Sequence, residues 1–177
     1  MSLFDFLLSR RPGDRPAPPS ETETVRKIVN AVDRLEPERA RYLAAFAYIL
    51  SRVARADLKV SPEETRAMER ILVEHGELAE EQAILVVQIA KHQNLLFGAT
   101  EDFLVTREFR KISSREQKLA LLDCLFAVAA AEALITGQED HEIRRVASEL
   151  GLSHEEFISV RSRYRDHLSV LRRDTRS

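Results

Sequence analysis

The 177-residue chain carries 27 Lys and Arg against 29 Asp and Glu, a net charge of −2 that gives no overall attraction to nucleic acid. A hydrophobic content of 44% excludes a disordered chain, and one cysteine, Cys124, excludes an internal disulfide and a cysteine-based zinc site. No apolar run approaches the roughly 20 residues of a membrane span, and no secretory signal opens the chain, so a cytoplasmic protein is expected.

In chain order, Met1–Arg11 pairs an apolar patch (Leu3, Phe4, Leu7, Leu8 on one helical face) with Arg10 and Arg11. This reads either as a weak peripheral membrane anchor or as a segment folded back on the body. Pro12, Pro16, Pro18 and Pro19 make residues 12–19 an extended linker. The folded domain is expected over 20–171, with a basic tail at 172–177.

Within it, Ser20-Glu-Thr-Glu23 has capping-box spacing and precedes a stripe of Val25, Ile28, Val29, Val32 and Leu35. Pro37 opens a second helix to about Ala56. Leu43, Phe46, Ala47 and Leu50 line one of its faces and Tyr42, Ala45, Ile49 and Val53 the next, so it is expected at the centre. Ser61-Pro-Glu-Glu64 caps a third helix (Met68, Ile71, Leu72) that ends at Gly76. A fourth covers 79–92, with Ile84, Leu85, Val87, Gln88 and Ile89. A fifth covers about 100–111, with Phe103, Leu104 and Phe109. Ser113-Ser-Arg-Glu116 caps a second central helix, and Cys124 falls in its apolar run as a buried, inert thiol. Thr136-Gly-Gln-Glu139 caps a short helix ending at Gly151. Ser153-His-Glu-Glu156 caps a last helix carrying Phe157, Val160, Tyr164, Leu168 and Leu171. No segment alternates with period two for long enough to be a strand, which predicts an all-α fold of about eight helices.

The two halves echo each other. Slid by 75 positions, residues 50–81 match 125–156 without gaps at ten of 32 places, among them Leu50/Leu125, Ala54/Ala129, Glu64/Glu139 and Gly76/Gly151. About two or three matches are expected by chance. The sequence therefore reads as an internal duplication, two pseudo-repeats of a helical bundle.

The run Phe126-Ala-Val-Ala-Ala-Ala-Glu-Ala-Leu-Ile-Thr-Gly-Gln-Glu-Asp-His-Glu-Ile143, followed by Leu150-Gly-Leu-Ser-His-Glu-Glu-Phe157, resembles the TerB (tellurite-resistance protein B) family and the related N-terminal region of the co-chaperone DjlA. The resemblance covers about 20–170. It implies an all-helical, duplicated fold and a role in bacterial stress responses, including tellurite, in assemblies near the inner face of the membrane. It also implies a divalent metal held by paired acidic positions, which here are Asp57 and Glu64 in the first half and Glu132 and Glu139 in the second. Leu58 and Ala133 stand where the family's glycine is usual, and Glu132 stands in place of its aspartate.

Read from the residues alone, Glu64 and Glu139 follow a Ser or Thr by three positions, as capping boxes require. Asp57 and Glu132 end apolar helices, where the dipole disfavours an anion by a few tenths to ~1 kcal/mol. A protein cation, solvent or a metal ion would offset that cost, and a hard cation such as Ca²⁺ or Mg²⁺ suits oxygen ligands. The spacing excludes an EF-hand: counted from Asp57, the glycine position is Pro62 and position 12 is Met68. No nucleophile elbow, His-Glu-x-x-His motif or phosphate loop is present, and the five histidines are scattered. The expectation is a non-catalytic, TerB-like interaction module with protein partners and a divalent ion at the turns. The alternatives are a metal-free, co-chaperone-like docking protein and a metal-dependent enzyme. The arginines from Arg161 to Arg176 form a basic patch that reads as a solubilising helix end or as a contact for an anionic lipid or an acidic partner.

Overall fold

The structure, a computed structural model, describes residues 19–54, 61–92, 102–132 and 134–172. Nine α-helices lie among them: α1 (Pro19–Asp33), α2 (Pro37–Val53), α3 (Pro62–Glu74), α4 (Glu80–Lys91), α5 (Asp102–Ile112), α6 (Arg115–Glu132), α7 (Gly137–Glu149), α8 (His154–Ser162) and the short α9 (Ser169–Arg172). The fold is all-α, as expected, and no strand occurs among the described residues.

Helix α2 is the axis. Every residue from Tyr42 to Ser51 is buried, because alanines at 44, 45 and 47 let neighbours approach on faces that larger side chains would block. It packs chiefly on α4 and α5, and also on α1, α6 and α7. The second long helix, α6, packs on α8, α3, α7 and α2. The halves therefore interlock: α3 from the first rests on α6, while α5 and α7 from the second rest on α2. One continuous core results, reaching from Ile28 to Leu168. Aromatic side chains weld its two ends. Tyr42 stacks on Phe109 (5.2 Å between centroids) with Phe46 edge-on to both, and Phe126 stacks on Tyr164 (5.5 Å) beside Phe157. Burial pushes the Tyr42 hydroxyl up to about 12. Cys124 is fully buried, and that burial pushes its thiol upward, away from the reactive thiolate.

The expected capping boxes at Ser61, Thr136 and Ser153 are present. Two others differ. Helix α1 opens at Pro19, so Ser20 lies inside it, and Glu23 pairs with Lys27 at 2.9 Å one turn on. At α6 the box belongs to Ser114 and Gln117, which exchange bonds of 3.1 and 2.8 Å, while the Ser113 hydroxyl donates back to Phe109 O. Two apolar faces are also rotated from expectation. In α4 the core takes Ala83, Val86, Val87, Ile89 and Ala90 and leaves Ile84 outside. In α5 it takes Val105, Thr106 and Phe109 and leaves Phe103 and Leu104 exposed. Position α2 decides both, since the α4 and α5 faces that bury are the ones turned to it.

The C-terminal region departs most. A single helix through Leu171 is expected. Instead α8 stops at Ser162, a 3-10 turn follows at Arg165–His167, and Leu168 pairs in parallel with Ile135. Ile135 N donates to His167 O at 2.7 Å and Ser169 N to Ile135 O at 3.1 Å. Between α6 and α7 Ile135 is buried, its backbone groups need partners, and this strap supplies them.

The two glycines at equivalent places of the echo act differently. Gly151 adopts φ +77 after α7, a left-handed position that suits glycine. After α3 the left-handed residue is Glu77 (φ 54), and Gly76 is needed for space, since a Cβ there would lie 2.6 Å from Leu72 O. Glu77→Gly should therefore raise stability by up to about 1 kcal/mol, and Gly151→Ala should lower it by about 1 kcal/mol. Urea midpoints measured at constant m-value check both signs.

Candidate functional site

Of the four acidic residues at the turns, two have described side chains. Glu64 Oε2 accepts from Ser61 N at 2.7 Å, and Ser61 Oγ accepts from Glu64 N at 3.2 Å. Glu139 Oε2 accepts from both Thr136 N and Thr136 Oγ1, each at 2.7 Å. Asp57 lies outside the described residues, as does the side chain of Glu132, although its backbone closes α6. Each capping carboxylate uses one oxygen, Oε2, in these bonds, and the second is chemically suited to a hard cation. Among the described residues, no three His, Cys, Asp or Glu side chains converge on a metal-sized site.

The end of α2, which leads into the first turn, lies against the start of α7, which leaves the second. Arg52 and Val53 face Gly137, Gln138, Glu139, His141 and Glu142 across a hollow of about 430 Å³. The wall of that hollow is held by Arg52, whose side chain is only 4% exposed. Its Nε and Nη2 donate to Glu142 Oε1 at 3.0 and 2.6 Å, and its Nη1 donates to Glu149 Oε2 at 2.9 Å and to Thr106 Oγ1 at 2.8 Å. A guanidinium carries five donors in a fixed fork, and here that fork ties α2 to α5 and α7 together. Burial alone would push the Glu149 carboxyl up, but the hydrogen bond and charge of Arg52 outweigh it and hold the group below the usual carboxylate range. Arg145 adds a partly exposed second cation, 3.6 Å from Glu142 and 3.5 Å from Glu149.

A second hollow, also about 430 Å³, opens between α3, α6 and α8. Asp123, in the middle of α6, is its hub. His75 Nδ1 lies 2.7 Å from Asp123 Oδ2, and the Tyr164 hydroxyl donates to Oδ1 at 2.9 Å and to the Asp123 carbonyl at 3.1 Å. Arg163 Nη1 approaches Oδ1 at 3.4 Å. Burial and the bond to Asp123 push the Tyr164 hydroxyl upward. Glu74, Glu77, Glu116 and Glu156 line the rim, and Arg115 pairs with Glu156.

The family model described as Tellurite resistance protein TerB matches residues 43–162. The chain belongs to the TerB family. The TerB match begins at Leu43 in the central helix and ends at Ser162, the last residue of α8. Both hollows are lined largely within it, and the strap at 165–172 falls beyond it. No curated protein and no solved structure matches the chain significantly. No helix among the described residues is long and apolar enough to cross a membrane.

The Arg52 and Asp123 clusters escaped the sequence reading because their members stand 90 and 48 positions apart. One local signal marks Arg52: it is the single charged residue between Tyr42 and Val53, in a helix otherwise buried all round.

Arg52→Met should cost about 3 kcal/mol, because it leaves two largely buried carboxylates with only the half-exposed Arg145 beside them. The depressed Glu149 contributes fully above the ordinary carboxylate value of 4.5, and that contribution is lost as pH falls through its lower folded value. Thermal midpoints of the wild type should therefore drop in this acid window, and the variant should show a flatter acid limb.

Proposed function

We propose that this TerB protein is a non-catalytic interaction module of a bacterial stress response of the tellurite-resistance kind, whose two turns bind a divalent cation and so regulate contact with a protein partner. The observation that carries the reading is the hollow where the end of α2 meets the start of α7. It brings the approach to the Asp57 turn beside Glu139, which follows the Glu132 turn. Asp57, Glu64, Glu132 and Glu139 would supply the oxygens, and Ca²⁺ or Mg²⁺ is the ion that such a donor set prefers. The ion would also offset the cost of carboxylates at helix C-termini.

The internal duplication belongs to the same proposal. Helices α3 and α7 begin 75 positions apart, are both 13 residues long and are both opened by a capping box. In this proposal the two copies of one acidic turn would form one composite site near the place where the end of α2 meets the start of α7. The module would act in the cytoplasm near the inner face of the membrane, with residues 1–19 as a weak tether. The metal-free docking protein is the second reading, favoured by the capping boxes, which account for Glu64 and Glu139 without any ion.

Calorimetry with Ca²⁺, Mg²⁺, Mn²⁺ and Zn²⁺ on the wild type and on Asp57→Asn/Glu132→Gln decides between them. The metal reading expects binding to the wild type that falls at least tenfold in the variant. Absence of binding to the wild type would overturn it in favour of metal-free docking.

A further inference from the structure

Helix α5 carries a face that the core does not use. Turning Val105, Thr106 and Phe109 inward leaves Phe103 56% exposed and Leu104 39%. Arg107, Arg110 and Lys111 are exposed on the same helix. At about 100° per residue these five side chains share one arc of about 120°, and the arc holds no acid. Glu108 stands about 40° beyond its edge and is half-buried. Among the described residues no carboxylate pairs with any of the three cations; Arg107 instead lies over the Phe103 ring, 6.0 Å from its centroid. On the neighbouring α7, Glu142 and Glu149 are already taken by Arg52. A chain of net charge −2 thus presents three cations together without a counter-charge.

The order of these side chains selects the kind of partner. Along the helix, Phe103 and Leu104 occupy the first turn, Arg107 the second, and Arg110 and Lys111 the third. Around the helix, Arg107 falls between the two apolar side chains. A bilayer interface takes an unbroken apolar stripe bordered by cations, and here a cation splits the apolar pair. A second helix laid along α5 can follow the axial order instead, with apolar side chains on one turn and carboxylates on the next two. Residues 103, 107 and 110 have the i, i+4, i+7 spacing by which helices are read in such contacts. Phe and Arg are also enriched at protein–protein interfaces. The 11 residues of α5 span about 16 Å, enough for one short segment and for weak, salt-sensitive binding.

We propose that Phe103, Leu104, Arg107, Arg110 and Lys111 form a docking face for an acidic amphipathic helix of a protein partner. The proposal deepens the interaction-module reading, on which it rests, and needs no ion at the turns. The probe is a fluorescein-labelled peptide of Leu, Glu and Ala, with leucines on its first turn and glutamates on the next two. A second peptide carries Gln in place of every Glu. Fluorescence anisotropy is read with the full chain in the presence of EDTA, so that failure here and failure of the metal site are separate results. Four proteins are compared: wild type, Arg107→Glu/Lys111→Glu, Phe103→Ala, and Arg66→Glu/Arg70→Glu, which makes the same change of net charge at exposed positions of α3. Circular dichroism melts confirm folding. The wild type should bind the acidic peptide about tenfold or more tightly than the neutral one, and lose binding as salt is raised. Arg107→Glu/Lys111→Glu should bind about tenfold more weakly or worse, Phe103→Ala about threefold, and the α3 variant within about twofold of wild type. Phe103→Ala keeps every charge and decides the matter if the reversal variant fails to fold. A wild type that ignores the acidic peptide overturns the proposal. So does equal binding of both peptides, or an equal loss in the α3 variant. Co-flotation with phosphatidylglycerol vesicles that Arg107→Glu/Lys111→Glu abolishes, without peptide binding, overturns it in favour of a lipid surface.

Discussion

One buried guanidinium sets the geometry of this molecule. Arg52 follows a stretch of helix buried at every residue from Tyr42 to Ser51, and its charge is tolerated only because Glu142, Glu149 and Thr106 converge on it. An isolated cation at 4% exposure would be prohibitively costly. The chain therefore has to bring α5 and α7 to the end of α2 in one register. Apolar packing alone is permissive about sliding and rotation; a planar fork with four short hydrogen bonds is not.

The second charged hub, Asp123, plays the matching part at the middle of α6. It gathers a histidine from the end of α3 and a tyrosine from beyond α8. Each hub joins elements from both halves. The halves share one core, because α2 is covered by α5 and α7 as well as by α4, and α6 by α3 as well as by α7 and α8. The cationic hub anchors the end of α2, and the anionic hub anchors the groove between α3, α6 and α8. No buried side-chain nitrogen or oxygen among the described residues is left without a partner.

Much of the fold was legible because it is written locally. Helical stripes, the Pro37 and Pro62 starts, and three of five capping boxes follow from spacings of three or four residues. The errors have physical causes. Ser113 and Ser114 are adjacent and either could cap α6; the choice fell to Ser114 because Ser113 bonds back to the preceding helix. Phe103 and Leu104 look like core, but the face of α5 that meets α2 is fixed by Phe109 and Val105. The helix expected from 154 to 171 breaks because the backbone of Ile135 needs partners, a demand that no local pattern reveals. At the candidate site, the capping roles of Glu64 and Glu139 could be read from three-residue spacings, and the TerB kinship from the residues around the second turn. The hubs could not, since their members meet only after folding.

The strap also imposes an order on the birth of the molecule. The turn before α7 borrows backbone bonds from His167 and Ser169, more than thirty residues later in synthesis. Arg52 likewise waits for Glu149, 97 positions on, before its charge is neutralised. A ribosome that has released only the first half holds a chain with a naked cation and an uncovered apolar helix. The bundle is complete only once both halves, the buried ion cluster and the strap are all present.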